Sequence, residues 1–276
     1  MDPRGRIVVV TGAAGGIGSA LVRALIAAGA TGVVATDLDV AGVEALAQDV
    51  NGDTATAVGG GRVFPRRLDV ADEAATRALV DEVDDQLGPI DLWFANAGIS
   101  GGGGADAPDE TWDRQWQVNV MAHVYAARAL LPGWIARGEG HLVTTASMAG
   151  ILTSLGDGVY AATKHAAVGL AEWLAITHAA QGVKVSCICP GAVDTAMLRG
   201  GAGGDAAKAT AVIGGGEVLS PDEAAARVVA AVREDRFLIL THPEMHGYMT
   251  GKAEDPDRWI RGMTRLWGRA QELLGG

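Results

Sequence analysis

The chain has 276 residues, is 49% hydrophobic and carries a formal charge of −11. That size suits one generous α/β core rather than two small domains, and the acidic balance excludes a nucleic-acid partner, whose phosphates the surface would repel. No run approaches the roughly eighteen apolar residues of a membrane span, and the N-terminus enters a strand without a leader pattern, so a cytoplasmic protein is expected.

In chain order, a β-branched strand at residues 6–11 runs into the glycine-rich turn Thr11 to Gly18 and a helix at 17–28. A strand at 32–37 ends on Asp37 and precedes a helix at 40–49, and a strand at 62–68 ends beside Asp69 ahead of a helix at 72–87. Strands at 90–95 and 141–147 flank a helical pattern at 109–131, and a helix at 158–180 precedes a strand at 183–189. On that strand Cys187 and Cys189, two residues apart, share a face and are poorly placed to bridge each other, which fits a reducing compartment. Residues 191–219 are rich in glycine and predict either a lid over a bound molecule or a disordered insertion. Shorter glycine runs at 59–61 and 101–104 read as solvent-exposed connections. Ser220, Pro221 and Glu223 mark the start of a helix at 221–234, with a capping box, and a strand at 237–240 follows. In the tail, 241–276, Asp255 and Pro256 start a helix whose Trp259, Met263, Leu266, Trp267, Ala270 and Leu274 form an apolar stripe. The alternation predicts an α/β fold: a single doubly wound Rossmann-type domain over residues 1–276, with a seven-stranded, mostly parallel sheet and helices on both faces.

Gly12, Gly16 and Gly18 sit between a buried strand and a helix, where they allow a tight turn and let backbone amides approach a pyrophosphate. Asp37, at the end of the next strand, is placed to accept both ribose hydroxyls of an adenosine and to repel a 2′-phosphate. Neither Ala13, Ala14 nor Leu38 supplies a cation for that phosphate, so NAD is expected over NADP. Asp69 either holds the adenine amino group or caps the helix that follows.

Tyr160 and Lys164 are one helical turn apart, with Ser147 thirteen residues before the tyrosine. An ammonium about 5 Å from a phenol, at an effective dielectric of about 20, is worth roughly 3 kcal/mol and lowers a phenol pKa near 10 by about two units. The trio therefore predicts a general acid/base that moves a proton while a nicotinamide moves a hydride. A second Tyr-x-x-x-Lys, Tyr248 to Lys252, lacks the serine, and Gly247 and Gly251 oppose a helix there, so it reads as looped structure. His242, Glu244 and His246 carry no metal expectation, because Pro243 disrupts the helix such a site needs.

In this order the motifs resemble the short-chain dehydrogenase/reductase family, shorter-subunit branch: TGxxxGxG at Thr11 to Gly18, Asn96-Ala97-Gly98, Asn119, Ser147, Tyr160-x-x-x-Lys164, and Pro190-Gly191 followed by Thr195. The resemblance implies a catalytic tetrad of Asn119, Ser147, Tyr160 and Lys164. It also implies a cofactor site made by Gly12, Gly16, Ile17, Gly18, Asp37, Leu38, Asp69, Val70, Asn96, Ala97, Gly98, Tyr160, Lys164, Pro190, Gly191, Val193 and Thr195. It further implies a homo-oligomer, a tetramer or a dimer, built on the helices that carry Asn119 and Tyr160. In the tetrad Ser147 would hydrogen-bond the substrate oxygen, Lys164 the nicotinamide ribose, and Asn119 a water leading to solvent. Met148, Leu152, Leu155, Val159, Ala192, Met197 and Leu198 are the expected substrate wall, which suits an uncharged secondary alcohol or ketone with apolar bulk. The alternatives are an epimerase and a non-catalytic NAD-binding module, and a binding module needs no proton relay.

Overall fold

In the computed structural model, which describes residues 1–52, 60–200 and 217–274, seven strands form one sheet. They are β1 (Ile7–Thr11), β2 (Gly32–Asp37), β3 (Arg62–Arg67), β4 (Leu92–Ala95), β5 (Gly140–Thr145), β6 (Val183–Cys189) and β7 (Leu238–Leu240), ordered β3-β2-β1-β4-β5-β6-β7. Every pairing is parallel. The helices are α1 (Gly16–Ala27), α2 (Val40–Gly52), α3 (Glu73–Gln86), α4 (Asp109–Trp116), α5 (Ala122–Arg137), α6 (Gly158–His178), α7 (Ala196–Gly200), α8 (Pro221–Arg233), α9 (Met245–Glu254) and α10 (Pro256–Leu274).

The apolar run of β1 explains why the sheet is covered on both faces. Val8 and Val10 enter one cluster with Leu21 and Leu25 of α1 and Val228 and Val232 of α8. Val9 enters the opposite cluster with Trp93, Leu130, Trp134 and Leu174. A strand buried on both sides has no solvent face to mark with polar residues, so it reads as a continuous hydrophobic run. Strand order reverses at β1, which hydrogen-bonds β2 on one side and β4 on the other. The crevice at the carboxyl ends of these strands is the ligand position this topology provides.

Four expectations need correction. The helix at 109–131 is two helices joined by a π turn, Gln117–Met121, and it continues past Pro132 to Arg137 before Gly138 closes it at φ 71°. The Tyr248 to Lys252 segment is helical, because Pro243 lies before α9 and the buried Met245 and the contacts of Lys252 offset about 1 kcal/mol for each helical glycine. The glycines at 101–104 are exposed as expected at Gly101 and Gly103, but Gly102 is buried and donates its amide to Asp157 Oδ2 at 3.1 Å. Asp69 does not cap α3; Asp72 does, accepting from the Ala75 amide. The two ends of the 191–219 segment meet in a parallel bridge between Val193 and Leu219, while its middle, 201–216, lies outside the described residues, as does Gly59. Cys187 and Cys189 are buried and free.

Candidate active site

The carboxyl ends of β1 and β4 are locked together by Thr11. Its hydroxyl accepts the amides of Asn96 and Ala97, each at 3.0 Å, and Asn96 Nδ2 returns a bond to the Thr11 carbonyl at 3.0 Å. Gly12 adopts φ 66° so close to Ala97 that a Cβ would lie 2.8 Å from its Cα, and a Cβ on Gly18 would lie 2.0 Å from the Gly12 carbonyl oxygen. The turn therefore excludes side chains. Gly15 caps α1 without a side-chain hydrogen bond, and the first turn, which contains Ile17, holds no acidic residue. The amides at this helix end keep their donor capacity and their positive end of the dipole, an arrangement that fits a pyrophosphate.

Asp37 closes β2 beside that turn. Its Oδ2 accepts the Ala14 amide at 3.0 Å and its Oδ1 accepts the Asp39 amide at 3.1 Å, so the carboxylate is held in a fixed orientation. Leu38 is 46% exposed next to it. The parallel register also places Arg67 opposite Asp37, a cation that neither the glycine turn nor the residues beside Asp37 in sequence supply. Asp69 Oδ1 accepts the Ala71 amide at 3.0 Å, and Val70 lines a cavity of about 10 Å³ with Thr11, Thr76, Trp93, Ala97 and His123. His123 is wholly buried, and desolvation, with a contribution from Lys164, pushes its pKa down to about 3; the nearby Ala95 carbonyl offsets this weakly.

The four catalytic candidates converge from β5, α6 and the π turn. Lys164 Nζ lies 5.5 Å from the centroid of the Tyr160 ring and donates to the Thr145 carbonyl at 2.9 Å. Ser147, at the end of β5, accepts the Ala149 amide at 3.1 Å and hydrogen-bonds the Tyr160 phenol. The π turn buries Val118, Asn119 and Val120 in succession and brings Asn119 inward. Its Oδ1 accepts the Ile99 amide at 2.9 Å, while Nδ2 donates to the Ile99 carbonyl at 2.9 Å and to Thr163 Oγ1 at 3.1 Å. Gly98 leaves room for the group, since a Cβ there would lie 3.1 Å from Lys164 Nζ and 3.3 Å from Asn119 Oδ1.

The expected acidification of Tyr160 is reversed in this structure. Burial pushes the phenol up to about 12; the Ser147 hydrogen bond pulls it down by less, and Asp157 and Cys189 push it further up. The reason is geometric. Lys164 Nζ sits over the ring and donates to a backbone carbonyl, not to the phenol, so desolvation outweighs the Ser147 hydrogen bond. Lys164 is itself buried, and desolvation lowers it to about 8, with the two cysteines acting the other way.

The β6 side completes the crevice. Pro190 accepts the Met148 amide at 2.9 Å, and the Gly191 amide donates to Thr241 Oγ1 at 3.2 Å, with His242 so close that a Cβ on Gly191 would lie 2.6 Å from its Nδ1. Val193 is buried, and Thr195 reaches back toward the first glycine turn, where a Cβ on Gly16 would lie 3.1 Å from its Cγ2. Of the expected wall, Met148, Leu155, Ala192 and Leu198 are half-buried and Met197 is exposed, whereas Leu152 and Val159, at 5% and 0% exposure, are buried. Asp157 stands at the site although none of the sequence motifs includes it. Its spacing three residues before Tyr160 is a helix-cap signal, and its Oδ1 accepts the Tyr160 amide at 3.0 Å.

The pattern characteristic of short chain dehydrogenases matches residues 6–202. The chain belongs to that family. It is 36% identical over 264 residues to 1-deoxy-11-beta-hydroxypentalenate dehydrogenase from Streptomyces exfoliatus, covering 92% of this chain and 90% of that one. A short chain dehydrogenase/reductase from Burkholderia phymatum, solved in complex with NAD, superposes with a TM-score of 0.82 at 28% identity, covering 93% of this chain and 96% of that one. A dehydrogenase structure from Beutenbergia cavernae with NADP at low occupancy gives 0.76 at 30% identity, covering 88% and 98%. The protein is accordingly an oxidoreductase, and among its described residues no helix is long and apolar enough to cross a membrane.

Proposed function

We propose that this protein is an NAD(H)-dependent dehydrogenase or ketone reductase acting on a secondary alcohol or ketone with apolar bulk. The observation that carries the reading is the meeting of Ser147, Tyr160, Lys164 and Asn119 beside a glycine turn that excludes side chains. The nicotinamide supplies or accepts the hydride when bound. The uncapped N-terminus of α1 would hold its pyrophosphate and Asp37 its adenosine ribose. Asp69 and Val70 would border the adenine. Asn96, Ala97 and Gly98 would form the floor, and Pro190, Gly191, Val193 and Thr195 the nicotinamide side. Tyr160, held protonated by a pKa of about 12, is the acid that gives a proton to a ketone oxygen and becomes phenolate; in the oxidative direction the phenolate takes the alcohol proton. Ser147 would hydrogen-bond the substrate oxygen and stabilise charge developing there.

The half-buried apolar wall supports a bulky uncharged substrate, and the relative from Streptomyces exfoliatus is named for a hydroxylated one. Trp173 and Ile176, 57% and 74% exposed on α6, support a homo-oligomer. The cytoplasm is the compartment in which a chain with two free buried cysteines is expected to work. The test is absorbance at the reduced nicotinamide band with a panel of secondary alcohols and cyclic ketones, each with NAD(H) and with NADP(H). NAD-linked turnover is expected; preference for NADP overturns the cofactor assignment, and no turnover overturns the reaction. Tyr160→Phe should lose about a hundredfold or more of the activity while binding NADH with unchanged fluorescence.

A further inference from the structure

The ten residues between Ser147 and α6 carry one side of the substrate wall, and their ends are anchored. Met148 donates its amide to the Pro190 carbonyl, and Asp157 accepts amides from Tyr160 and Gly102. Between these anchors the short turn Met148–Gly150 is followed by Ile151 and Leu152, which offer two carbonyls. Both are taken by Lys252 Nζ from α9, at 2.8 and 2.9 Å. One ammonium that donates to two consecutive carbonyls satisfies both acceptors and ties this segment to α9. No carboxylate pairs with Lys252 among the described residues, and its side-chain hydrogen bonds go to these two oxygens. Leu152 is 5% exposed, and Leu155 follows on the same segment. α9 leads through Asp255 into α10, which packs on it and carries the half-buried Trp259 and Met263.

We propose that Lys252 is a positioning residue for substrate specificity. It clasps the loop behind Ser147 to the C-terminal helix pair, so that the Leu152–Leu155 side of the wall is held at the width a bulky substrate needs. This rests on the dehydrogenase reading above. The clasp itself does not depend on it.

The experiment compares the unmodified protein with Lys252→Met, which keeps the stem and removes the donors, Lys252→Gln, which can serve one carbonyl, and Lys252→Arg, which can serve both. Amide hydrogen exchange is followed on peptides covering residues 148–157. Turnover is measured with a bulky cyclic secondary alcohol and with a small acyclic one. Exchange in this segment should quicken in Lys252→Met, stay intermediate in Lys252→Gln and return in Lys252→Arg. KM for the bulky alcohol should rise about tenfold in Lys252→Met, with kcat for the small one within about twofold. Unchanged exchange in Lys252→Met overturns the clasp, and equal losses on both substrates overturn the specificity role. If the unmodified protein turns over neither alcohol nor any ketone of the panel, the dehydrogenase reading fails while the exchange comparison still decides the clasp.

Discussion

At Lys164 two demands meet in one side chain. In the proposed reaction it acts as a cation close to Tyr160, yet it is 2% exposed, and burial, offset in part by Cys187 and Cys189, brings its pKa down to about 8. The Thr145 carbonyl and the face of the tyrosine ring are the groups that stabilise its charge, and Gly98 leaves the space for it. Gly98→Ala would bring a methyl to 3.1 Å from Nζ, tighter than an ordinary contact, so the ammonium must shift. The expected outcome is a fall in kcat of about tenfold or more with intact folding, checked by kinetics beside a far-ultraviolet melting curve. At the other end of the crevice, Asp37 and Arg67 are register partners with opposite preferences for a 2′-phosphate. Asp37→Ala should cut the ratio of kcat/KM for NAD over NADP by about tenfold, the value of one charged hydrogen bond, and Arg67→Ala should raise it. A ratio unmoved by Asp37→Ala would remove the carboxylate from cofactor choice.

At the scale of elements, Asp157 joins three parts of the site. It caps α6 through the Tyr160 amide, ties down Gly102, and contributes negative charge near the phenol. Burial raises its own pKa, against the pull of the amide bonds it accepts. Asp157→Ala should therefore lose about 1–3 kcal/mol of stability, from a missing cap and orphaned amides, measured by urea unfolding. Asp157→Asn should keep the cap and lower the Tyr160 pKa, because the neighbouring charge is gone. An ultraviolet phenolate titration can follow this, since the chain has 3 tyrosines. The strands and the glycine turn are legible in the sequence because each carries its own local period: Val8, Val9 and Val10 between Ile7 and Thr11 suffice to define β1. The π turn and α9 are not. The inward turn of Asn119 is settled by Ile99 and Thr163, and Lys252 is stabilised by carbonyls about a hundred residues away. The sequence likewise shows that Tyr160 and Lys164 share a helix face, but the sign of the phenol shift depends on how far tertiary packing desolvates the phenol group.

For the molecule as a whole, two histidines buried on different elements make stability depend on pH in a definite direction. His123 on α5 and His141 on β5 are 1% and 0% exposed, and desolvation lowers both pKa values to about 3. The His141 tautomer follows from its neighbours: Ser186 donates its hydroxyl to the Arg236 carbonyl at 2.6 Å, so Nε2 of His141, at 2.9 Å, donates to Ser186. Unfolded, both rings titrate near 6.5, so as pH falls from about 6.5 toward 3 the unfolded chain binds two protons that the native state refuses. The stability these rings contribute is present above the unfolded pKa and is lost on acidification through that window. Between about pH 7 and pH 5 the loss is about 2 kcal/mol per histidine, hence about 4 kcal/mol for the pair. The measurement is urea unfolding at those two pH values for the unmodified protein and for a His123→Leu, His141→Leu double variant. The unmodified protein should lose most of this amount, whereas the variant should start from its own stability at pH 7 and change little. Acid groups held low by ion pairs, such as Glu139 beside Arg6, titrate below this interval and do not mimic the effect. Equal slopes in the two proteins would mean that both rings accept protons while the chain is folded, and that their burial is relieved by local opening.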